Sequence, residues 1–232
     1  MKLLIIPTLN EKNNIKHLIK NIKKINHKLD ILFIDDNSSD GTKLEIIKLS
    51  KKNKNISYLF RPKKMGIGSA HKDGLKYAYK KKYKIILTMD ADGTHKPKYI
   101  LNLLKYIKTF DLVSTNRFLK KDCLKDWPIQ RRFLTKLRYL LIDLLLNTKQ
   151  DSSGGFRCYN ARKIKLKDIL KAKNNGYSFF WESLYYFNKN KYIIKEIPIY
   201  LPYRKVGNSK MTFKDIFGSL LYLAKYFLKE IL

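Results

Sequence analysis

The sequence predicts an α/β fold, a mostly parallel, doubly wound sheet with helices on both faces. Leu3 to Ile6 is a short continuous apolar run of the length of a buried parallel strand, and Ile31 to Ile34, Ile56 to Phe60 and Ile85 to Met89 are further apolar-rich strand segments. Segments between them carry apolar residues at helical spacing, so the order reads β-α-β-α-β-α-β. The unusual polar and acidic stretches all follow strands, at the carboxyl edge where such sheets bind ligands.

Taken in order, the first strand is ended by Pro7, and Thr8 to Glu11 is a polar turn. Asn13 or Asn14 caps a helix whose buried stripe is Ile15, Leu18, Ile19, Ile22 and Ile25. The second strand exits through Asp35 to Gly41, and Thr42 opens the next helix. The third runs into a loop, Arg61 to Ala70, and then a helix reaching about Lys81. The fourth ends on Asp90, Ala91 and Asp92. After Pro97 come a helix with Ile100, Leu103, Leu104 and Ile107, a strand from Asp111 to Ser114, and Asn116 to Phe118. Pro128 occupies the first turn of a long helix, a favoured place for proline. Phe133, Leu137, Leu140, Leu141, Leu144 and Leu145 mark one side of that helix; Arg131, Arg132, Lys136 and Arg138 lie elsewhere. Asp151 to Arg157 reads as a glycine-bearing loop, and Gly176 to Glu182 starts another helix. Ile193 to Ile199, with Pro198 and Pro202, reads as an edge strand. A last amphipathic helix follows.

With 232 residues the chain is expected to form one domain, and 44% hydrophobic content excludes a disordered protein. Cys123 and Cys158 have no metal-ligand spacing and argue for a reducing compartment. Fifty Lys and Arg against nineteen Asp and Glu give a net charge of +31, which attracts nucleic acid, anionic lipid headgroups or phosphorylated substrates. No secretory signal is visible, and no apolar run reaches the roughly 18 residues that a membrane span needs. The expectation is a cytoplasmic protein peripheral to the cytoplasmic face of a membrane.

Acids are scarce here, so two of them one residue apart at a strand end stand out. Asp90 and Asp92 can converge on one divalent cation, Mg2+ or Mn2+, and the diphosphate it carries; the plainer reading is a solvated loop pair. Asp36 suits ribose hydroxyls or a base edge, whereas Asp40 reads as a helix cap. Gly66 and Gly68 form a partial glycine loop better explained by packing. Arg117, Arg131, Arg157, Arg204 and Lys210 stand in loops or near helix starts, and an arginine fork matches phosphate. Glu182, among Phe179, Phe180 and Trp181, suits a raised pKa or a role in orienting a basic partner. His95 reads as a hydrogen-bonded loop histidine rather than a ligand.

These residues fall into motifs. Ile6 to Glu11, Ile34 to Thr42 and Met89 to Pro97 resemble the inverting family 2 glycosyltransferases. Ser114 to Arg117, Asp151 to Arg157, the Glu182 motif, Glu196 to Ile199 and Arg204 to Lys210 narrow the resemblance to dolichol-phosphate mannosyltransferases and their bacterial polyprenyl-phosphate relatives. It spans roughly residues 3 to 212. The resemblance implies a GT-A domain over 1–212, with 213–232 as a membrane-associating helix. It places Pro7, Leu9, Glu11, Ile34 and Asp36 around the nucleotide, with Asp90, Ala91, Asp92 and Thr94 at the metal and diphosphate. It gives Arg204 and Lys210 to the donor phosphates, and Arg117 and Arg131 to the acceptor phosphate. Asp92, Arg117 and Arg131 are the expected catalytic residues. Leu9 stands where an aromatic is common, Gly93 replaces a usual Leu, and Thr94 replaces Ser or Gln.

The implied reaction is transfer of a hexose, foremost mannose from GDP-mannose, to a polyprenyl or dolichyl phosphate. The implied partners are the nucleotide-sugar donor, the polyprenyl-phosphate acceptor, a membrane surface and a small membrane subunit. A UDP-sugar-dependent glucosyl- or N-acetylhexosaminyltransferase uses nearly the same motifs and stays open, whereas the Arg204 to Lys210 loop speaks against a nucleotidyltransferase of the same fold. A non-specific nucleic-acid binder is the remote alternative, disfavoured because the lysines are spread rather than gathered in one stripe.

Overall fold

The computed structural model describes residues 1–25, 28–203 and 213–230. Its first half alternates strand and helix: β1 (Lys2–Thr8), α1 (Lys12–Lys23), β2 (Asp30–Asp35), α2 (Thr42–Lys52), β3 (Ile56–Phe60), α3 (Ile67–Lys80) and β4 (Ile85–Thr88). Then follow α4 (Tyr99–Tyr106), β5 (Leu112–Asn116), a 3-10 turn at Lys121–Leu124 and α5 (Ile129–Leu146). The chain closes with β6 (Arg157–Asn160), α6 (Leu166–Ile169), α7 (Phe179–Lys189), β7 (Ile194–Pro198) and α8 (Phe213–Glu230).

The seven strands form one sheet in the order β3-β2-β1-β4-β6-β5-β7. All neighbours are parallel except β6, which runs antiparallel to β4 and to β5. Side chains alternate across the pleat. Leu4, Ile6, Phe33, Leu87 and Val113 face α1, α2 and α4, whereas Leu3, Ile5, Leu32, Ile86 and Leu112 face α3, α6 and α7. The sheet is thus covered on both faces, as the continuous apolar runs require.

Several expectations are corrected. Pro7 does not end β1, which pairs with β2 as far as Thr8. β1 has outrun β4 there, since their ladder stops at Ile5 opposite Thr88, so the missing N–H of Pro7 costs no ladder bond. Arg157 belongs to no loop: it opens β6 and is wholly buried. Its guanidinium donates to Gly154 O, Ser183 Oγ and Phe180 O at 2.8–2.9 Å, a structural role. β7 does lie at the sheet edge.

α5 and α8 pack outside the layers on α7, around Ile142, Leu146, Trp181, Leu223 and Tyr226. Ser178 meets Ser219 at 2.9 Å, and Tyr222 OH donates to Glu182 at 3.1 Å. α8 therefore docks through its tyrosine side and leaves Phe217 and Leu228 more than 60% exposed. On α5, Ile129, Phe133, Leu134 and Leu144 are also more than 60% exposed. Among the described residues, no helix is long and apolar enough to cross a membrane.

Candidate functional site

The carboxyl edge of the sheet opens into a cavity of about 930 Å³. The first wall comes from β1 and β2. Pro7, Thr8, Leu9 and Glu11 line it, as does Asp36. Asn10 N–H donates to Ser38 Oγ, and Asn10 Oδ1 accepts from Ser39 N–H, so the exits of the two strands are tied together. Asp35, buried beneath, accepts from Thr8 Oγ and Ser38 N–H. Asp40 accepts the backbone N–H of both Lys12 and Thr42, which fits the expected capping role at two helix starts.

Asp36 accepts the N–H groups of Met65 and Gly66 at 2.8 and 2.9 Å and pairs with buried Arg61 at 3.1 Å. Its carboxylate shapes the 61–66 loop while still facing the cavity. Ile34 does not reach the cavity; it is wholly buried in the core that faces α3. Gly66 and Gly68 allow the start of α3 to approach residues 175–179. A Cβ at Gly66 would lie 2.5 Å from Asn175 O, and one at Gly68 would lie 2.6 Å from Gly176 O. Packing explains both glycines, as expected.

At the centre stand Asp90, Ala91, Asp92 and Thr94. Thr94 donates both its N–H and its hydroxyl to Asp92 Oδ1, at 3.0 and 2.7 Å, closing a tight turn. Asp90 N–H donates to His95 Nδ1 at 3.0 Å, and the buried imidazole stacks on Phe156. His95 braces the loop, as expected. Among the described residues no group of three or more His, Cys, Asp or Glu could hold a metal by itself. Two carboxylates are nevertheless the hard oxygen donors that Mg2+ or Mn2+ takes from a protein when a substrate supplies the remaining oxygens. Gly155 backs this pair: a Cβ there would sit 3.3 Å from Asp90 Oδ1. The residues present fit such a cation.

Arginines form the far wall. Arg117 donates from its backbone N–H and Nε to Asp151 Oδ2, and from Nη2 to Asp151 Oδ1, at 2.8–3.0 Å; Nη2 also reaches Ser153 Oγ. Burial opposes both charges, but each stabilises the other. The Asp151 carboxyl is held down at about 2, and the Arg117 guanidinium is pushed up by Asp151 with help from Asp90. Arg131 lies over the Trp127 ring at 4.5 Å and the Tyr203 ring at 5.4 Å. Arg138, not among the expected site residues, also lines the cavity. Burial and the neighbouring Arg117 push its guanidinium down to about 10, and among the described residues no carboxylate stands within ion-pair distance. A signal for it was present, because Arg131 and Arg138 are seven residues apart and share a helix face. Glu182, with its carboxyl raised by burial, accepts Lys173 N–H and Asn174 N–H and so orders a loop rather than a ligand.

Of the expected site residues, Pro7, Leu9, Glu11, Asp36, Asp90, Ala91, Asp92, Thr94, Arg117 and Arg131 line this one cavity. Arg204 and Lys210 lie outside the described residues. A carboxylate pair facing three arginines across one cavity is suited to holding phosphate-bearing ligands.

The family model described as glycosyl transferase family 2 matches residues 3–170. The chain is 27% identical over 227 residues to the polyprenol monophosphomannose synthase of Mycolicibacterium smegmatis, covering 97% of this chain and 86% of that protein. It is 28% identical to the undecaprenyl-phosphate mannosyltransferase of Micrococcus luteus, covering 90% and 87%. Among solved structures, glucosyl-3-phosphoglycerate synthase from Mycobacterium tuberculosis superposes with a TM-score of 0.66 at 16% identity, over 97% of this chain and 80% of that one. A Pyrobaculum calidifontis mannosyltransferase in complex with GDP-Man and Mn2+ superposes with a TM-score of 0.54 at 17% identity, over 96% and 69%. The sheet order, the site at its carboxyl edge and the extent of the match agree: the chain belongs to glycosyl transferase family 2 and has the GT-A fold.

Proposed function

We propose that the protein transfers mannose from GDP-mannose, with inversion, to a polyprenyl or dolichyl phosphate at the cytoplasmic face of a membrane. The observation that carries this reading is that Arg117, Arg131 and Arg138 line the same cavity as Asp90 and Asp92. The mannosyltransferase names of the two curated relatives, and the GDP-Man and Mn2+ in the Pyrobaculum complex, support it. Asp90 and Asp92, with Thr94 beside them, would hold Mg2+ or Mn2+, whose charge offsets that of the departing diphosphate. Arg204 and Lys210 are proposed as further grips on the donor phosphates. Pro7, Leu9 and Asp36 form the proposed nucleotide wall.

An acceptor phosphate monoester has a second pKa near about 6 and is largely dianionic at neutral pH. One of its oxygens attacks the anomeric carbon as the bond to the nucleoside diphosphate breaks, so no protein base is required. The arginines then act by aiming that oxygen. Leu134, Leu137 and Leu141 of α5, with Ile216 and Leu220 of α8, continue the cavity wall outward and suit the first isoprene units. The exposed apolar residues of α5 and α8 are the proposed membrane contact.

The test is a donor panel with a prenyl phosphate, Mg2+ or Mn2+, and labelled sugar counted in organic extracts. GDP-mannose should be the best donor; preference for a UDP-sugar would replace the proposed donor. Asp92→Ala should lose at least about a hundredfold in transfer. Undiminished transfer by that variant would sink the cation site.

A further inference from the structure

Glu196 stands in the edge strand β7, opposite Ser114 of β5, and the reaction outlined above makes no use of it. We propose that Glu196 is a positioning residue, whose carboxylate ties the Asp151 loop to the end of β5 and thereby aims the Arg117 fork into the cavity. The proposal rests on the reading of Arg117 as a ligand of the acceptor phosphate.

The chain of contacts is short. Glu196 Oε1 accepts Asp151 N–H at 2.8 Å, and Glu196 Oε2 accepts the Asn116 side-chain amide at 2.8 Å. Asn116 Oδ1 in turn accepts Phe118 N–H at 2.6 Å, so the residues on both sides of Arg117 are fixed by one side chain. Asp151, the other end of the brace, holds the Arg117 backbone, Nε and Nη2. Among the described residues Nη1 has no partner, and that edge of the fork is left for a phosphate oxygen. An ionised Glu196 satisfies both anchors at once. A protonated one keeps a single good acceptor oxygen and must slacken one of them.

The surroundings make that protonation accessible. Burial pushes the Glu196 carboxyl up to about 7; the bonds from Asn116 and Asp151 N–H oppose this, the Asp151 charge adds to it, and Arg157 of β6 opposes it. Tyr139 of α5 senses the same carboxylate. On the other face of β7, Lys195 lies over Tyr106 of α4.

The test uses the ligand-free full chain. The Arg117 Nε–H resonance, followed by NMR through neutral pH, should move in one step with a midpoint near about 7 in the wild type and stay in place in Glu196→Gln. Glu196→Gln should also raise the acceptor KM about tenfold, the worth of one charged hydrogen bond, with the nucleotide-sugar KM unchanged. A flat Arg117 resonance in the wild type, which needs no variant to fold, would overturn the proposal. So would an unaltered titration in Glu196→Gln, or equal changes in both KM values. If the wild type shows no transfer to prenyl phosphate, the proposed acceptor fails, and the Arg117 titration decides the role of Glu196 by itself.

Discussion

Asp151 is almost completely buried, and the charge it carries there exists because Arg117 grips it with three donors. Its carboxyl is depressed from 3.8 to about 2, so the folded state binds that proton more weakly than the unfolded chain. The stabilisation is therefore complete above about pH 4 and is lost as pH falls toward 2. Asp151→Asn should cost about 3–5 kcal/mol, because it strands a buried guanidinium, and denaturant unfolding at neutral pH checks this. Arg138 has the opposite economy. It shares the cavity wall with Arg117, and burial and the repulsion from Arg117 already lower its pKa. Arg138→Gln should leave the melting temperature unchanged or raise it, yet raise the acceptor KM about tenfold through loss of a charged hydrogen bond. A drop in melting temperature with an unchanged KM would assign Arg138 to the scaffold instead.

At the scale of elements, α5 and α8 show most clearly what periodicity can and cannot tell. Both helices occur where the sequence predicts them, and periodicity alone serves packing on the sheet and contact with a membrane equally well. Only Ile142 and Leu146 of α5 are buried, and α8 packs through Leu223 and Tyr226, so most of the apolar side is exposed. Phe133 and Leu144 lie outside the cavity lining and are 66% and 81% exposed. Transfer of one such side chain out of water is worth about 1.5–3 kcal/mol. The double variant Phe133→Ser, Leu144→Ser should therefore weaken vesicle binding by at least about tenfold while sparing transfer to a short, water-soluble prenyl phosphate. Equal vesicle binding by variant and wild type would remove α5 from the membrane contact. β6 escaped the sequence reading for a physical reason. Arg157 to Asn160 is short and sets its two apolar residues, Cys158 and Tyr159, side by side between polar ones, so it shows neither an apolar run nor a period of two. Its burial comes from neighbours on both sides that only the folded sheet supplies.

Over the whole molecule, the parallel half of the sheet was legible because β1 and β2 are almost wholly buried and carry continuous apolar stretches, and β3 and β4 are apolar-rich segments placed between helical patterns. The site was legible where motifs follow strands, at Asp36, Asp90, Asp92 and Arg117. Arg138 was missed although its seven-residue spacing from Arg131 marked the helix face, and Arg157 was misplaced because a conspicuous residue there serves the core. The net charge of +31 is a property of the entire chain. It should make vesicle capture require anionic lipid and weaken as salt rises from about 0.1 to 1 M, where the screening length falls from about 10 to 3 Å. Sedimentation with neutral and anionic vesicles checks this, and capture insensitive to both variables would assign the attraction to the apolar faces alone. The reversed direction of β6 has one more effect. Because β6 runs against its neighbours, the segment that precedes it reaches the same edge as the segments that follow the others. Asp151 in that segment carries Arg117, and Gly155, four residues on, backs Asp90. The two proposed substrate sites thus share one segment of five residues, so neither specificity can be redesigned there as an independent module.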